Sequence, residues 1–179
     1  MIKQVYIETE RFLIRNLELK DALDMFALDS DPAVHEFLGK NPISALEESK
    51  EIIRQIRKQY DANGLGRLAI IDKETNEFIG WTGIKYEENV REYSYYDLGY
   101  RLRKKFWGKG IATETAVASL KYGFETLSLK EICAAADVNN MGSNKVLRKV
   151  GMQYVEQFDF EGELHNWYRI TKPQWQSLK

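Results

Sequence analysis

The period of the apolar residues changes along this chain, and those changes decide which folds it can adopt. Between residues 46 and 63 apolar side chains recur at helical spacing. From residue 67 the helical spacing is lost: residues 67–72 and 77–86 indicate a hairpin, and residues 92–102 a third strand rich in tyrosine and apolar residues. Helical spacing returns over residues 111–127. This alternation of periods predicts an α/β protein with a mixed sheet.

Shorter signals predict the remaining elements. The capping box Ser44-Ala45-Leu46-Glu47 opens the 46–63 helix, and Asn63-Gly64 ends it. Asp21 is expected to cap a short earlier helix, and Ser143 to cap a late one that ends at Gly151. The predicted strands cover residues 11–16, 67–72, 77–86, 92–102, 132–138, 153–160 and 164–171, with turns at residues 73–76 and at Glu161-Gly162.

Composition excludes several classes of function. The chain has 179 residues without a linker or repeat, so we expect a single domain over residues 1–179. Lys and Arg total 26 against 27 Asp and Glu, a net charge of −1 that argues against a nucleic-acid partner. Two histidines and one cysteine leave little for a metal site and no intramolecular disulfide. No apolar run approaches the ~20 residues of a membrane span, so a cytoplasmic location without membrane contact is expected.

The segment 98–115, LGYRLRKKFWGKGIATET, carries the strongest chemical signal. A strand runs through a basic loop to Gly108 and Gly110, which stand at the start of a helix. Glycines let the backbone approach a ligand closely, and the first turn of a helix presents unpaired N–H groups. Such a site suits a pyrophosphate. The basic side chains that could reach further phosphates are Arg101, Arg103, Lys104, Lys105 and Lys109.

Three ligand classes compete for this loop. A nucleotide P-loop needs a GxxxxGK[ST] run, which the chain lacks. A dinucleotide loop needs a third small residue where Thr113 stands, and it belongs on the first strand of a βαβ unit rather than halfway along the chain. The third class is coenzyme A.

The coenzyme A interpretation comes from a resemblance to the GNAT superfamily of N-acetyltransferases, whose signature is [Q/R]xxGx[G/A]. Gly110 and Ala112 match its last two fixed positions, and Trp107 replaces the usual Gln or Arg. The string FWGKGIATE resembles the branch of ribosomal-protein alanine N-acetyltransferases. ETERFLIRNLELKDA, FIGWTGI, DLGYRL and DVNNMGSNKVLRKVGM resemble further elements of that branch, in its order. The resemblance implies a mixed, mostly antiparallel sheet with splayed middle strands and helices on both faces.

The same resemblance implies that acetyl-CoA is bound as a co-substrate, with no metal. The amides of residues 108–113 would wrap the pyrophosphate, a free strand edge would bind the pantetheine, and Asn140 would hydrogen-bond the pantetheine arm. The implied cofactor residues are Tyr100, Arg101, Leu102, Trp107, Gly108, Lys109, Gly110, Ile111, Ala112, Thr113 and Asn140.

For the chemistry, the resemblance implies direct attack of an amine on the thioester. Asp97 lies where many members hold a catalytic carboxylate, with Glu92 and Glu87 as weaker candidates; selection of an already neutral amine is the alternative. The tyrosine that protonates the departing thiolate in many members is replaced by Leu147. Ser143 matches a serine implicated in the ribosomal branch, although a plain helix cap would also explain it.

The acceptor is expected to be the α-amine of a protein, with a ribosomal protein as the first candidate and a small amine as the alternative. An acidic groove that attracts a cationic amine would have Asp31, Glu36, Tyr60, His165 and Trp167 as its candidate lining. A non-catalytic acyl-CoA-binding module on the same scaffold is the rival class. Cys133 is expected in the core, His35 and His165 show no pairing with a nucleophile, and either a monomer or a homodimer is compatible with the sequence.

Overall fold

The computed structural model describes residues 4–178, which form one eight-stranded sheet in the order β1-β2-β3-β4-β5-β6-β8-β7. Every neighbouring pair is antiparallel except β5 and β6, which run parallel. The strands are β1 (Tyr6–Glu8), β2 (Phe12–Asn16), β3 (Arg67–Asp72), β4 (Phe78–Glu87), β5 (Tyr95–Leu102), β6 (Glu131–Asp137), β7 (Gln153–Phe160) and β8 (Glu163–Thr171).

The sheet opens in its middle, between β5 and β6. Within the described residues these strands share a single register pair, Asp97 with Cys133, although β5 continues to Leu102. On its other side β5 remains paired with β4 along its full length, from Tyr95 to Leu102. The predicted splayed strands are therefore confirmed, and the fork begins at Asp97.

Helices cover both faces of the sheet. They are α1 (Ala22–Asp29), α2 (Leu46–Asn63), α3 (Ile111–Lys121), α4 (Met141–Lys149) and α5 (Lys172–Ser177); a π-helical turn, Tyr122–Thr126, extends α3. The buried side chains of α1 and α2 pack with Ala69 and Ile71 of β3. Those of α3 and α4 pack with Ile84 and Leu98, a cross-strand pair of β4 and β5. Because strand side chains alternate between faces, some side chains at the fork point to the face covered by α1 and α2. The others point to the face covered by α3 and α4.

Two predicted helix caps are wrong by a few residues. The 46–63 helix is capped at Ala45, and Glu48 rather than Glu47 accepts from the amides of Ser44 (3.0 Å) and Ala45 (2.9 Å). Asn140, not Ser143, caps α4, because its Oδ1 accepts the Ser143 amide at 3.0 Å. Ser143 already lies in the first helical turn, and its hydroxyl is not needed as a cap.

Other boundaries agree or differ for evident reasons. Gly64 ends α2 in the left-handed region, at φ 70°, as the Asn63-Gly64 pair predicts. β1 and α5 were not predicted: β1 has three residues, and α5 has six and includes Pro173 in its first turn. Both depend on packing against neighbours rather than on a long periodic pattern of their own.

Candidate active site

The loop between β5 and α3 is shaped by two glycines. Gly108 and Gly110 both have φ of 74°, in the left-handed region that residues with a Cβ rarely adopt. The first hydrogen bond of α3 runs from the Glu114 amide to the Gly110 carbonyl, at 3.1 Å. The amides of residues 111–113 precede it, and the positive end of the helix dipole lies at the same place. The predicted anion site therefore has the backbone geometry that it requires.

Two side chains brace this loop. The Trp107 indole donates from Nε1 to the Leu102 carbonyl at 2.9 Å, which ties the loop back to the end of β5. Arg11 donates from its guanidinium to the Lys109 carbonyl at 3.1 Å and to the Glu114 carboxylate at 2.7 Å. Trp107 thus has a structural role at the variable position of the signature. The role of Arg11 was not predicted, since about 100 residues separate it from the loop.

The positive charge predicted for the loop is largely neutralised. Arg101 forms an ion pair with Asp29 at 2.6 Å and points to the α1 side of the sheet. Arg103 lies 3.7 Å from Glu77, and Lys105 pairs with the same carboxylate. Among the described residues, no carboxylate lies within ion-pair distance of Lys104 or Lys109. The loop therefore has less unpaired positive charge than the sequence suggests. Binding of an anion there would depend more on the backbone amides.

Asp97 stands at the apex of the fork and is held by Arg67 of β3. The guanidinium of Arg67 pairs with the Asp97 carboxylate and also donates to the Asp97 carbonyl at 2.8 Å. It reaches that far only because Gly99 lacks a side chain: a Cβ there would lie 2.5 Å from the guanidinium. Sequence reasoning missed Arg67, although the Gly83 and Gly99 pair opposite it is a signal that a long side chain crosses the strands.

Burial raises the pKa of the Asp97 carboxyl, and the positive charges of Arg67 and Lys85 oppose that rise. A carboxylate with a raised pKa is a better proton acceptor than an ordinary surface aspartate. Glu87 is less suited to the role. Burial raises its pKa too, but Lys85 and the amides of Asn89 and Glu88 bring the pKa below its usual value. Glu92 is exposed and precedes β5.

The start of α4 is fixed at the other side of the fork by a buried amide. Asn144 donates to the carbonyls of Asp137 and Asn140, both at 2.8 Å, and its Oδ1 accepts from Asn166 and Tyr168, both at 2.7 Å. Both N–H donors and both lone pairs of this amide are therefore used. This network was not predicted, because its partners lie on β8.

Ser143 lines the cleft above the fork, together with Asn140. Its Oγ lies 3.0 Å from the hydroxyl of Tyr100, which belongs to β5. Leu147, at the position of the usual tyrosine, is 1% exposed and lies in the core. The donor that the resemblance assigns to a tyrosine is thus absent from position 147, while Ser143 is accessible.

One cleft of about 990 Å³ joins these parts. It is lined by the loop glycines, residues 97–102 of β5 and the start of α4. An apolar wall completes it, formed by Ala33, Val34, Phe37, Leu38, Ile52 and Ile56. The volume lies at the upper end of the range for small-molecule sites, as a bulky cofactor plus a second substrate requires.

The predicted acidic groove is wrong in its residues and its charge. Of its five candidates only His165 lines the cleft. Tyr60 is buried, accepts the Leu17 amide at 3.1 Å and donates to the Arg67 carbonyl; burial raises its pKa to about 12. Trp167 packs in the core against Tyr95. The charged residues that do line the cleft are Asp29, Asp97, Asp137, Arg67, Lys85, Arg101, Lys145 and Lys149, so it is not acidic.

The remaining candidates are placed as follows. Cys133 is buried, as predicted, and burial raises its pKa to about 12. His35 is buried 3.8 Å from Asp29 and faces no nucleophile. Within residues 4–178 no cluster of three potential metal ligands occurs, and no helix combines the length and apolar character needed to cross a bilayer.

Comparison with known proteins places this fold and site in a family. The model of the acetyltransferase (GNAT) domain matches residues 11–153. The chain is 33% identical over 147 residues to the uncharacterized N-acetyltransferase p20 of Bacillus licheniformis, covering 81% of this chain and 80% of that one. This chain therefore belongs to the GNAT family of N-acetyltransferases, and it is an enzyme of that class.

Solved structures agree with this assignment. A GNAT-family acetyltransferase from Bacillus anthracis superposes with a TM-score of 0.80 at 25% identity, over 94% of this chain and 99% of that one. A ribosomal L7/L12 α-N-protein acetyltransferase, RimL, solved in complex with coenzyme A, has a TM-score of 0.77 at 16% identity, over 93% and 98%. At that identity the second likeness shows the fold alone.

Proposed function

We propose that this enzyme transfers the acetyl group of acetyl-CoA to the N-terminal α-amine of a protein, with a ribosomal protein as the first candidate. One observation carries the proposal: the fork between β5 and β6 opens beside a left-handed glycine loop at the start of α3. A strand edge and an anion site thus lie next to each other, which is the arrangement that a pantetheine arm and its pyrophosphate need.

The cofactor residues follow from that arrangement. The amides of residues 108–113 would hold the pyrophosphate, with Trp107 bracing the loop. The backbone of Tyr100, Arg101 and Leu102 lies past the last β5–β6 pair, so its free edge would bind the pantetheine as an added strand. The Asn140 Oδ1 is used in capping α4, which leaves its amide nitrogen for the pantetheine.

In the reaction, the amine nitrogen attacks the thioester carbon and the carbon–sulfur bond breaks. Asp97 at the fork apex would take the proton that the nitrogen gives up, directly or through water. A backbone N–H on the open edge would stabilise the oxyanion of the tetrahedral intermediate. The thiolate leaves toward α4, where Ser143 would donate a hydrogen bond to it. Thiolate protonation balances the proton lost by the amine.

The charge of the cleft supports an α-amine as the acceptor. An α-amine has a pKa of about 8, against about 10.4 for an alkyl amine such as that of lysine, so it is more easily made neutral. A polyamine carries further positive charges, and the lining has no excess of carboxylates to bind them. The resemblance of the segment FWGKGIATE to the ribosomal-protein branch points the same way. Ribosomal acceptors would place the enzyme in the cytoplasm.

A second candidate is a small amine with an apolar body. The wall formed by Val34, Phe37 and Leu38 favours it, since these side chains would cover an apolar substituent. A non-catalytic acyl-CoA-binding module is the remaining alternative, and Asp97 and Ser143 in one cleft argue against it.

Thiol release measured with acetyl-CoA and a panel of acceptors tests the proposal. The panel contains short peptides with N-terminal alanine or serine, the same peptides with a blocked N-terminus, spermidine and apolar amines. We expect release only with the free peptides. Release with apolar amines alone would favour the second candidate. Coenzyme A binding by calorimetry without release on any acceptor would favour the binding module.

A further inference from the structure

The hydroxyl of Tyr100 is bonded across the fork to the first turn of α4. It lies 3.0 Å from the Ser143 Oγ and 3.1 Å from the Ser143 carbonyl oxygen. Tyr100 belongs to the part of β5 that has already separated from β6. Its ring packs on the face of the sheet that α3 and α4 cover, and both Tyr100 and Ser143 line the cleft. This contact therefore links the two sides of the opening.

The two distances allow two arrangements of the hydroxyl protons. When Tyr100 donates to the Ser143 carbonyl, the Tyr100 oxygen accepts from Ser143, and the serine proton is used inside the pair. When Tyr100 donates to the Ser143 Oγ, the serine proton is free for an acceptor in the cleft. The direction of one hydrogen bond thus decides whether Ser143 can donate to a ligand.

Nothing else holds the serine hydroxyl in the described structure. The Ser143 amide is held by Asn140, and the neighbouring Asn144 fixes the backbone, but neither contacts Oγ. A serine hydroxyl can occupy three staggered rotamers about the Cα–Cβ bond unless a partner selects one of them. Tyr100 is the partner that does so here.

We propose that Tyr100 is a positioning residue that orients the Ser143 hydroxyl toward the departing sulfur, in place of the donor lost at Leu147. The inference rests on the proposed function. Tyr100 donates to the Ser143 Oγ, and Ser143 donates to sulfur as the carbon–sulfur bond breaks. No proton leaves Tyr100: the thiolate is later protonated, which balances the proton that the amine released.

The test compares Tyr100→Phe with Tyr96→Phe. Tyr96 lies on the same strand and the same face and packs against the same core, but it does not line the cleft. Both changes remove one hydroxyl and no carbon. With acetyl-CoA we expect Tyr100→Phe to lower kcat about tenfold while KM for acetyl-CoA stays within about twofold, because a positioned donor contributes in the transition state. Tyr96→Phe should leave both unchanged.

A second donor separates this role from a structural one. In acetyl-seleno-CoA selenium replaces the thioester sulfur, and the selenolate needs less stabilisation because a selenol is a stronger acid than a thiol. The kcat of Tyr100→Phe should then approach that of the wild type, and so should that of Ser143→Ala. The double variant should lose no more than Ser143→Ala alone, since both act through one hydrogen bond.

Three results would overturn the inference: wild-type kcat for Tyr100→Phe, an equal loss with both donors, or additive losses in the double variant. Each leaves the proposed function intact, because the wild type still releases thiol. Absence of thiol release by the wild type with every acceptor would overturn the proposed function, and this inference with it.

Discussion

The two halves of the cleft are built in different ways. The half proposed to bind the pyrophosphate is made of backbone: two left-handed glycines and the amides of a helix start, in an exposed loop. The half at the fork is made of side chains: Asp97 held by Arg67, and Arg101 held by Asp29, on the side of the sheet that α1 and α2 cover. Backbone groups are the same in every residue, whereas side chains must be brought together from distant strands. We therefore expect binding in the first half to depend mainly on backbone conformation. In the second half, activity should depend on which side chains are present.

The largest effect is expected for Gly110→Glu. A carboxylate placed against the pyrophosphate should weaken coenzyme A binding about 1,000-fold, or about 4 kcal/mol. The left-handed backbone at Gly110 makes any residue with a Cβ cost about 1–2 kcal/mol of stability there, but the fold should persist, since a Cβ meets no atom closer than 3.7 Å. Calorimetry with coenzyme A measures the change. Gly64→Glu is the matched control: Gly64 has a φ of 70° and open surroundings, but it does not line the cleft. If both variants bind equally well, the assignment of the loop is wrong.

Next in size is Arg67→Met at the fork. Removing one partner of a buried ion pair costs about 3 kcal/mol of unfolding free energy, which urea denaturation measures. Turnover should fall, but the affinity for coenzyme A should not. The control Arg54→Met removes exposed ion pairs with Glu47 and Glu51 on α2 and should change the free energy of unfolding far less. A loss of coenzyme A affinity equal to that of Gly110→Glu would show that the two halves are not separable.

The same variant tests the role of Asp97 through pH. Arg67 lowers the pKa of Asp97, so its removal should raise that pKa further. A base works only when deprotonated, so the acid limb of the kcat profile should move to higher pH in Arg67→Met and disappear in Asp97→Asn. If the acid limb does not move, it reports the titration of a group other than Asp97.

Lys109→Ala should have a smaller effect on the backbone half. Lys109 is a free, exposed charge beside the loop, so its loss should weaken coenzyme A binding about threefold at low salt and less at high salt. Lys105→Ala, which removes a charge already paired with Glu77, should change the affinity less. A loss above about 30-fold for either lysine would mean that side chains, not amides, hold the phosphates.

The smallest effect is expected beneath the fork, for His35→Gln. Burial, and then the charge of Arg101, lower the pKa of His35 below 6.5. A histidine kept neutral in the fold contributes stability above pH 6.5 that is lost as pH falls toward its folded pKa. The melting temperature of the wild type should therefore fall more steeply than that of His35→Gln over this range. Parallel curves would show that the pKa of His35 is the same in the folded and the unfolded protein.

The sequence predicted the architecture well and the site in part. The two glycines at the start of α3, the apolar β6 strand and the splayed sheet are confirmed, because each follows from local pattern or from the family resemblance. The capping residues were misplaced because Ser44 and Ser143 each stand near a helix start and offer a plausible cap. The residue that caps a helix is the one at which the backbone becomes helical. The polar residues near that point do not determine where it lies.

The acceptor side shows why side-chain sites are harder to predict. Acidic and aromatic residues were expected to line it, but Tyr60 and Trp167 are core residues. Arg67 reaches Asp97 across two strands over Gly83 and Gly99, and no local signal links residues that are 30 positions apart. The charge of the cleft depends on which pairs form, which only the packed sheet defines.

By itself the sequence determined the order of the longer strands and helices and the two glycines at the start of α3, because periodicity, glycine conformation and helix starts depend on neighbouring residues. The tertiary structure alone decided which carboxylate faces the fork, which charges are cancelled and which hydroxyl meets Ser143. Those properties arise from strand register and burial, where atoms far apart in the chain come within hydrogen-bond distance.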